Sequence, residues 1–102
     1  MVLLEFSVTP LGVGTSVAPY VARCLDLVER SGLDYRLHAM GTIVEGELRD
    51  VLALVERCVE AVGADCPRVS VTAKLDYRPG HSGRLESKIA SVEQSLGRKL
   101  KR

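Results

Sequence analysis

The order of the predicted secondary-structure elements constrains the fold of this chain more than any other feature. Hydrophobic periodicity predicts a strand over 2–9, a helix ending at Gly32, strands over 33–40 and 42–45, a helix over 48–62, a strand over 68–78 and a last helix over 85–96. This order is typical of a ferredoxin-like βαββαβ sandwich, an α+β fold with a four-stranded antiparallel sheet, here extended by a C-terminal helix. The length predicts a single domain spanning residues 1–102.

Strand alternation predicts which side chains each face of the sheet presents. Both broad helices must pack on one face because βαβ-type crossovers are right-handed. Leu4, Phe6 and Val8 then lie beneath the helices. The bare face is predicted to show a mixed polar set: Leu3, Glu5, Ser7, Thr9, Arg36, His38, Met40, Thr42, Val44, Ser70, Thr72, Lys74, Asp76 and Arg78.

The ends of two helices carry recognisable signals. Thr15 or Ser16 offers an N-cap oxygen to the first helix, and Ser82 offers one to the last helix. The apolar stripe of the last helix is only one residue per turn wide, and it consists of Leu85, Ile89, Val92 and Leu96. A stripe this narrow predicts an appendage that packs on the sheet edge or on a neighbouring subunit.

Composition excludes several classes of partner. The net charge is only +1, which argues against a nucleic-acid or membrane-surface role. The three cysteines form no C-x-x-C unit and lie near neither histidine in sequence, so we expect no metal and no cofactor. The first residues lack the features of a signal peptide, and no apolar run is long enough to span a bilayer. These observations predict a cytoplasmic protein.

The mixed polar face predicts either a small-molecule pocket or a wet subunit interface. The plainer interpretation is a solvated face on which Glu5 and Lys74 form a cross-strand pair. The two histidines have no serine, cysteine or aspartate partner at a recognisable spacing, so the sequence predicts no enzyme and no catalytic residue.

Other proteins of this topology can be compared by their functional residues. An RNA-recognition module needs exposed aromatic residues on its central strands, and Phe6 is predicted to point into the core. An acylphosphatase-like enzyme needs an asparagine, and the chain has none. A regulatory module like the ACT amino-acid sensors remains an open alternative.

Three sequence blocks resemble the small YkoF-like thiamine-binding proteins. They are 5–12, followed by Ser16 and Tyr20–Val21; 35–46, with Tyr35–Leu37, Met40–Thr42 and Glu45–Gly46; and Lys74–Arg78 with the ending Leu96–Leu100. The resemblance implies a ferredoxin-like fold, homodimers that pair into tetramers, and binding of thiamine or its hydroxymethylpyrimidine part for salvage or transport.

A thiamine-like ligand would need three kinds of contact. Glu5 or Glu45 could supply a carboxylate for the cation or the ring edge, and Met40 or Tyr20 an apolar surface. Hydroxyls for the pyrimidine nitrogens would come from Ser7, Thr9 and Thr42. The sequence therefore predicts a non-catalytic, self-associating binding protein; the alternative is an oligomeric structural or regulatory module that binds no thiamine.

Overall fold

A computed structural model of the chain describes all 102 residues and contains four strands and three helices. The elements are β1 (Val2–Leu11), α1 (Ala18–Arg30), β2 (Asp34–His38), β3 (Gly41–Gly46), α2 (Leu48–Gly63), β4 (Arg68–Tyr77) and α3 (Arg84–Leu96). The predicted order of elements is confirmed.

The sheet has the strand order β2-β3-β1-β4, and every neighbouring pair is antiparallel. β1 pairs with β4 along its whole length, from Val2 opposite Tyr77 to Leu11 opposite Arg68. Its pairing with β3 is shorter and ends where Phe6 lies opposite Thr42. The ferredoxin-like fold is therefore confirmed, and β1 extends well beyond the end of β3.

The core lies between the sheet and the two broad helices. Leu4 of β1 and Val44 of β3 face each other across the central strand pair and are almost completely buried. α1 and α2 cover them with apolar side chains at helical spacing. The helical contribution to the core consists of Cys24, Val28, Val51, Leu54, Cys58 and Val62.

The predicted orientation of β3 is wrong. Thr42 lies opposite Phe6, and Val44 lies opposite Leu4, so both side chains project beneath the helices. Ile43 and Glu45 project from the other face instead. β-branched residues occupy both faces of this strand, so alternation alone does not show which face is buried. The pairing with β1 determines it.

The predicted helix caps are also wrong. α1 begins at Ala18 after Val17, with no side-chain cap from Thr15 or Ser16. α3 begins after Gly83, which has a left-handed backbone conformation, and Ser82 does not cap it. Its cap comes from a distant strand, because the Arg84 N–H donates a 3.0 Å hydrogen bond to Glu45 Oε2.

α3 packs on the face of the sheet opposite α1 and α2, against β2 and β3. Glu45 is buried there and accepts the first N–H of α3. The helix dipole also stabilises a carboxylate at this end of a helix. The Arg84 side chain is 6% exposed and donates to Asp76 of β4, which also accepts from Lys88. The last helix therefore packs across part of the bare face, whereas the narrow stripe predicts packing on the sheet edge or on a neighbouring subunit.

The C-terminal residues fold back onto α3. The Arg102 guanidinium pairs with Glu86 and Glu93, and the Leu100 N–H donates to the Glu93 carboxylate at 2.7 Å. These charge-assisted bonds favour ionised carboxylates. The contacts to Arg102 hold the pKa values of Glu86 and Glu93 below their usual range, and Lys88 and Arg84 do the same for the pKa of Asp76.

We expect acid to release α3 before it unfolds the rest of the domain. A carboxyl group whose pKa is lower in the folded state stabilises that state above its unfolded pKa, and this contribution is lost as the pH falls through the folded value. For Glu86, Glu93 and Asp76 the loss falls below about pH 4. Amide chemical shifts of α3 should move toward random-coil values over this range, while those of α2 stay folded. Simultaneous loss of both helices would contradict this expectation.

Candidate functional site

A cleft of about 350 Å³ lies at the end of the sheet where β3 begins and β1 extends beyond it. Beyond Phe6, β1 pairs only with β4, so its backbone on the β3 side has no strand partner. The turn between β2 and β3 forms one wall, and the first half of α1 forms the roof. The cleft is therefore a notch in the sheet, closed above by a helix.

The walls of the cleft are mainly apolar. The strand wall contributes Phe6, Val8 and Pro10, and the helical roof contributes Val21, Cys24 and Leu25, with Val17 before its first turn and Leu37 from β2. Apolar walls of this kind suit the faces of a flat ring, and the volume lies within the range of small-molecule sites.

The cleft also contains a few polar groups. Ser7, Thr9, Thr42 and His38 line it, and Thr42 is 4% exposed on the helix-facing side of β3. Ser7 and Thr9 alternate with Phe6 and Val8 along β1, so they border the notch from the other face of the sheet. Together with the free backbone of β1, these groups can hydrogen-bond the edge of a heterocycle.

His38 is held in place by two protein groups. Its Nδ1 accepts the Met40 N–H at 3.2 Å, and its Nε2 lies 3.3 Å from Glu5 Oε2. Nδ1 is therefore occupied as an acceptor, and Nε2 is directed at a carboxylate. The sequence predicts His38 on the mixed polar face but with no partner, because nothing in the local pattern shows where β3 begins.

The structure brings together four of the seven predicted site residues. Ser7, Thr9, Thr42 and Met40 line the cleft, and Met40 is 85% exposed at the tip of the β2–β3 turn. The other three, Glu5, Glu45 and Tyr20, are not among the lining residues.

These three have other partners. Glu5 reaches the site only through His38, and Glu45 caps α3 on the opposite face. The Tyr20 ring packs beneath the Arg23 guanidinium, 4.8 Å from its centroid. No carboxylate therefore lines the cleft, and the predicted ion pair with a ligand cation is absent from its walls.

Cys24 joins the cleft to the centre of the core. It lines the roof, and the Cys58 thiol approaches its carbonyl oxygen at 3.9 Å. A hydrogen bond with Cys24 and burial raise the pKa of the Cys58 thiol well above its usual value.

Cys24, Cys58 and Cys66 are all free thiols, and no group of His, Cys, Asp or Glu side chains is arranged to hold a metal ion. None of the three helices has the length and apolar content needed to cross a membrane.

Comparison with known proteins identifies relatives over almost the whole chain. A sequence model of the family described as thiamine-binding protein matches residues 4–93. A UPF0045 protein of Mycobacterium bovis is 47% identical over 96 residues, which cover 93% of this chain and 94% of the relative. The matched region contains every residue of the cleft.

Two solved structures have the same fold. A hypothetical protein of Methanocaldococcus jannaschii superimposes with a TM-score of 0.84 at 31% identity, covering 91% of this chain and 96% of that one. A Thermotoga maritima protein, described as a candidate for thiamine biosynthesis or salvage, has a TM-score of 0.78 at 20% identity, covering 89% of this chain and 97% of that one.

Proposed function

This chain belongs to the thiamine-binding protein family, and from that premise we propose that it binds thiamine, or the hydroxymethylpyrimidine part of thiamine, without chemical change. The observation that carries the proposal is the cleft at the start of β3, where apolar walls surround Ser7, Thr9, Thr42 and His38. The binding would serve salvage or transport in the cytoplasm. The protein would act as a homodimer or homotetramer.

The chemistry of the walls favours the pyrimidine over the thiazolium ring. Thiazolium carries a permanent charge, and a buried cation needs a paired anion. No carboxylate lines the cleft. The neutral aminopyrimidine needs only apolar contact with its faces and hydrogen bonds at its edge. We place the pyrimidine inside the cleft, with the thiazolium directed past exposed Met40 toward solvent.

The same features favour a binding role over catalysis. His38 has both ring nitrogens directed at protein groups, the Met40 N–H and the Glu5 carboxylate. A general base needs a nitrogen free to take the proton of a nucleophile. We therefore propose that thiamine incubated with the protein is recovered unchanged, which chromatography of the mixture can check.

Calorimetric titration with thiamine, hydroxymethylpyrimidine and the N-methylated hydroxyethylthiazolium cation tests the proposal. We expect the first two to bind and the thiazolium cation to give no heat. A ligand at 100 times its dissociation constant adds about 2.7 kcal/mol of stability, which raises the melting temperature of a domain this size by about 10 °C or more. Binding of the thiazolium cation alone, or no binding of either pyrimidine compound at millimolar concentration, would overturn the proposal.

Removing one hydroxyl should weaken binding without changing the shape of the cleft. We expect Thr42→Val to lower the affinity for hydroxymethylpyrimidine by about tenfold, because one lost hydrogen bond costs about 1 to 1.5 kcal/mol. The matched control is Thr72→Val on the bare face of β4, where the hydroxyl lies outside the cleft. Equal affinities for the two variants would remove Thr42 from the site.

A further inference from the structure

β4 is an edge strand, and it carries exposed apolar side chains on the face of the sheet that packs against the helices. Val71, Leu75 and Tyr77 lie opposite Val8, Leu4 and Val2 of β1, which are buried on that face. The three β4 side chains nevertheless remain exposed, Tyr77 to 62%. A row of large apolar side chains on the surface of a small domain marks a contact surface.

α2 widens this apolar strip. The Arg23 guanidinium of α1 donates to the Ala61 carbonyl oxygen, so the Ala61 flank of α2 faces α1. Leu48 and Leu52 lie on the opposite flank by helical periodicity, toward β4, and both are exposed, Leu52 to 50%. We call Leu48, Leu52, Val71, Leu75 and Tyr77 the β4 strip.

None of the 102 residues covers this strip or pairs with the outer edge of β4. β2 and β4 are the two edges of the sheet, and β4 is twice as long, with ten residues against five. It contains no proline, and an unpaired edge of this kind is a template for another strand. The C-terminal residues lie on α3 instead, held by Arg102.

The sequence of β4 is complementary to itself in antiparallel orientation. With a two-fold axis at Thr72, Arg68 lies opposite the partner's Asp76, and Val69 lies opposite the partner's Leu75. Val71 then faces the partner's Ala73, and Thr72 faces its own copy. Opposite charges, aliphatic pairs and threonine pairs directly across two strands are each stabilising.

Neighbouring registers that also keep paired side chains on the same face of the sheet lack this complementarity. An axis at Lys74 places two lysines opposite each other, and an axis at Val71 places Arg68 opposite the partner's Lys74. An axis at Ala73 places Arg68 opposite the partner's Arg78, just beyond the strand. Like charges directly opposite are destabilising.

We infer that β4 pairs with β4 of a second copy about an axis at Thr72, joining two four-stranded sheets into one and bringing the β4 strips of both copies together. The inference rests on the self-association proposed above and specifies its surface. It does not depend on the ligand, because no residue of the β4 strip lines the cleft.

Cross-linking tests the register. In a Cys66→Ser background, Thr72→Cys places two thiols opposite each other across the axis, and a short bis-maleimide should convert most of the protein to a covalent dimer. Ser70→Cys lies on the same face of β4, but its two copies would be about 14 Å apart along the strands. We expect little covalent dimer from it.

Sedimentation shows whether a negative result refutes the β4 surface alone or self-association as a whole. We expect the wild-type protein to be at least a dimer at 100 micromolar and Val71→Lys to raise the dimer dissociation constant at least tenfold. Val92→Lys, an equally apolar exposed site on α3, should change nothing. A monomeric wild type would overturn the self-association itself. A stable dimer without cross-linking at Thr72→Cys, or with equal cross-linking at Ser70→Cys, would overturn only the β4 surface.

Discussion

We expect the Val21→Trp variant to lose at least 100-fold in affinity for thiamine and hydroxymethylpyrimidine, a loss of about 2.7 kcal/mol. Val21 lines the cleft from α1 and is already partly exposed, so a larger side chain here has room to extend into the cleft without displacing the core. The indole ring would occupy the space that we assign to the pyrimidine. The melting temperature of the free variant should stay close to that of the wild type.

Ala22→Trp is the matched control for this variant. Ala22 is the next residue of α1, is exposed and does not line the cleft. We expect it to bind both ligands with wild-type affinity. Calorimetric titration of the two variants side by side makes the comparison. Full binding by a folded Val21→Trp variant would contradict the assignment of the cleft.

The second large effect concerns the stability of the β1–β3 pair beside the cleft. We expect Gly41→Ala to lower the free energy of unfolding by about 1 to 3 kcal/mol, the usual cost of overpacking. A Cβ at Gly41 would lie 2.9 Å from the Phe6 carbonyl oxygen, which is part of the backbone and cannot rotate away. The strands must separate locally. Urea unfolding monitored by circular dichroism measures the change.

Gly63→Ala shows whether the cost at Gly41 is steric. A Cβ at Gly63 would meet only Val69 Cγ2 at 3.7 Å, an ordinary contact. Gly63 is the last residue of α2, and alanine is favoured over glycine in a helix by up to about 1 kcal/mol. We expect unchanged or slightly increased stability. Similar losses at both positions would argue against a steric cause at Gly41.

The fold could be predicted from the sequence because its main signals are local. The period of two in β1 and the period of 3.6 in α2 each depend on a few consecutive residues, and their order selects the ferredoxin-like topology. The faces of β1, β2 and β4 follow from the same alternation: Leu75 lies opposite Leu4, and Leu4 and Tyr35 both lie opposite Val44, on the face that the helices cover.

The site depends on long-range pairing, which local patterns do not contain. Whether Thr42 faces the helices is decided by its pairing with Phe6, and the cleft exists only because β3 begins there while β1 extends further. The sequence predicts Glu45 as a ligand contact because nothing near it shows that α3 returns across the sheet and uses this carboxylate as a cap. The sequence does not predict His38 as a lining residue, because its place beside the cleft also depends on where β3 pairs with its neighbours.

The central claim is that a pyrimidine ring occupies the notch between β1 and the β2–β3 turn. The most direct measurement is an amide nitrogen–proton correlation spectrum of the protein titrated with hydroxymethylpyrimidine. We predict that the largest shift changes fall on Ser7, Thr9, His38 and Thr42, with little change in α3. Changes confined to β4, at Ser70 and Lys74, or no changes at millimolar ligand, would contradict the claim.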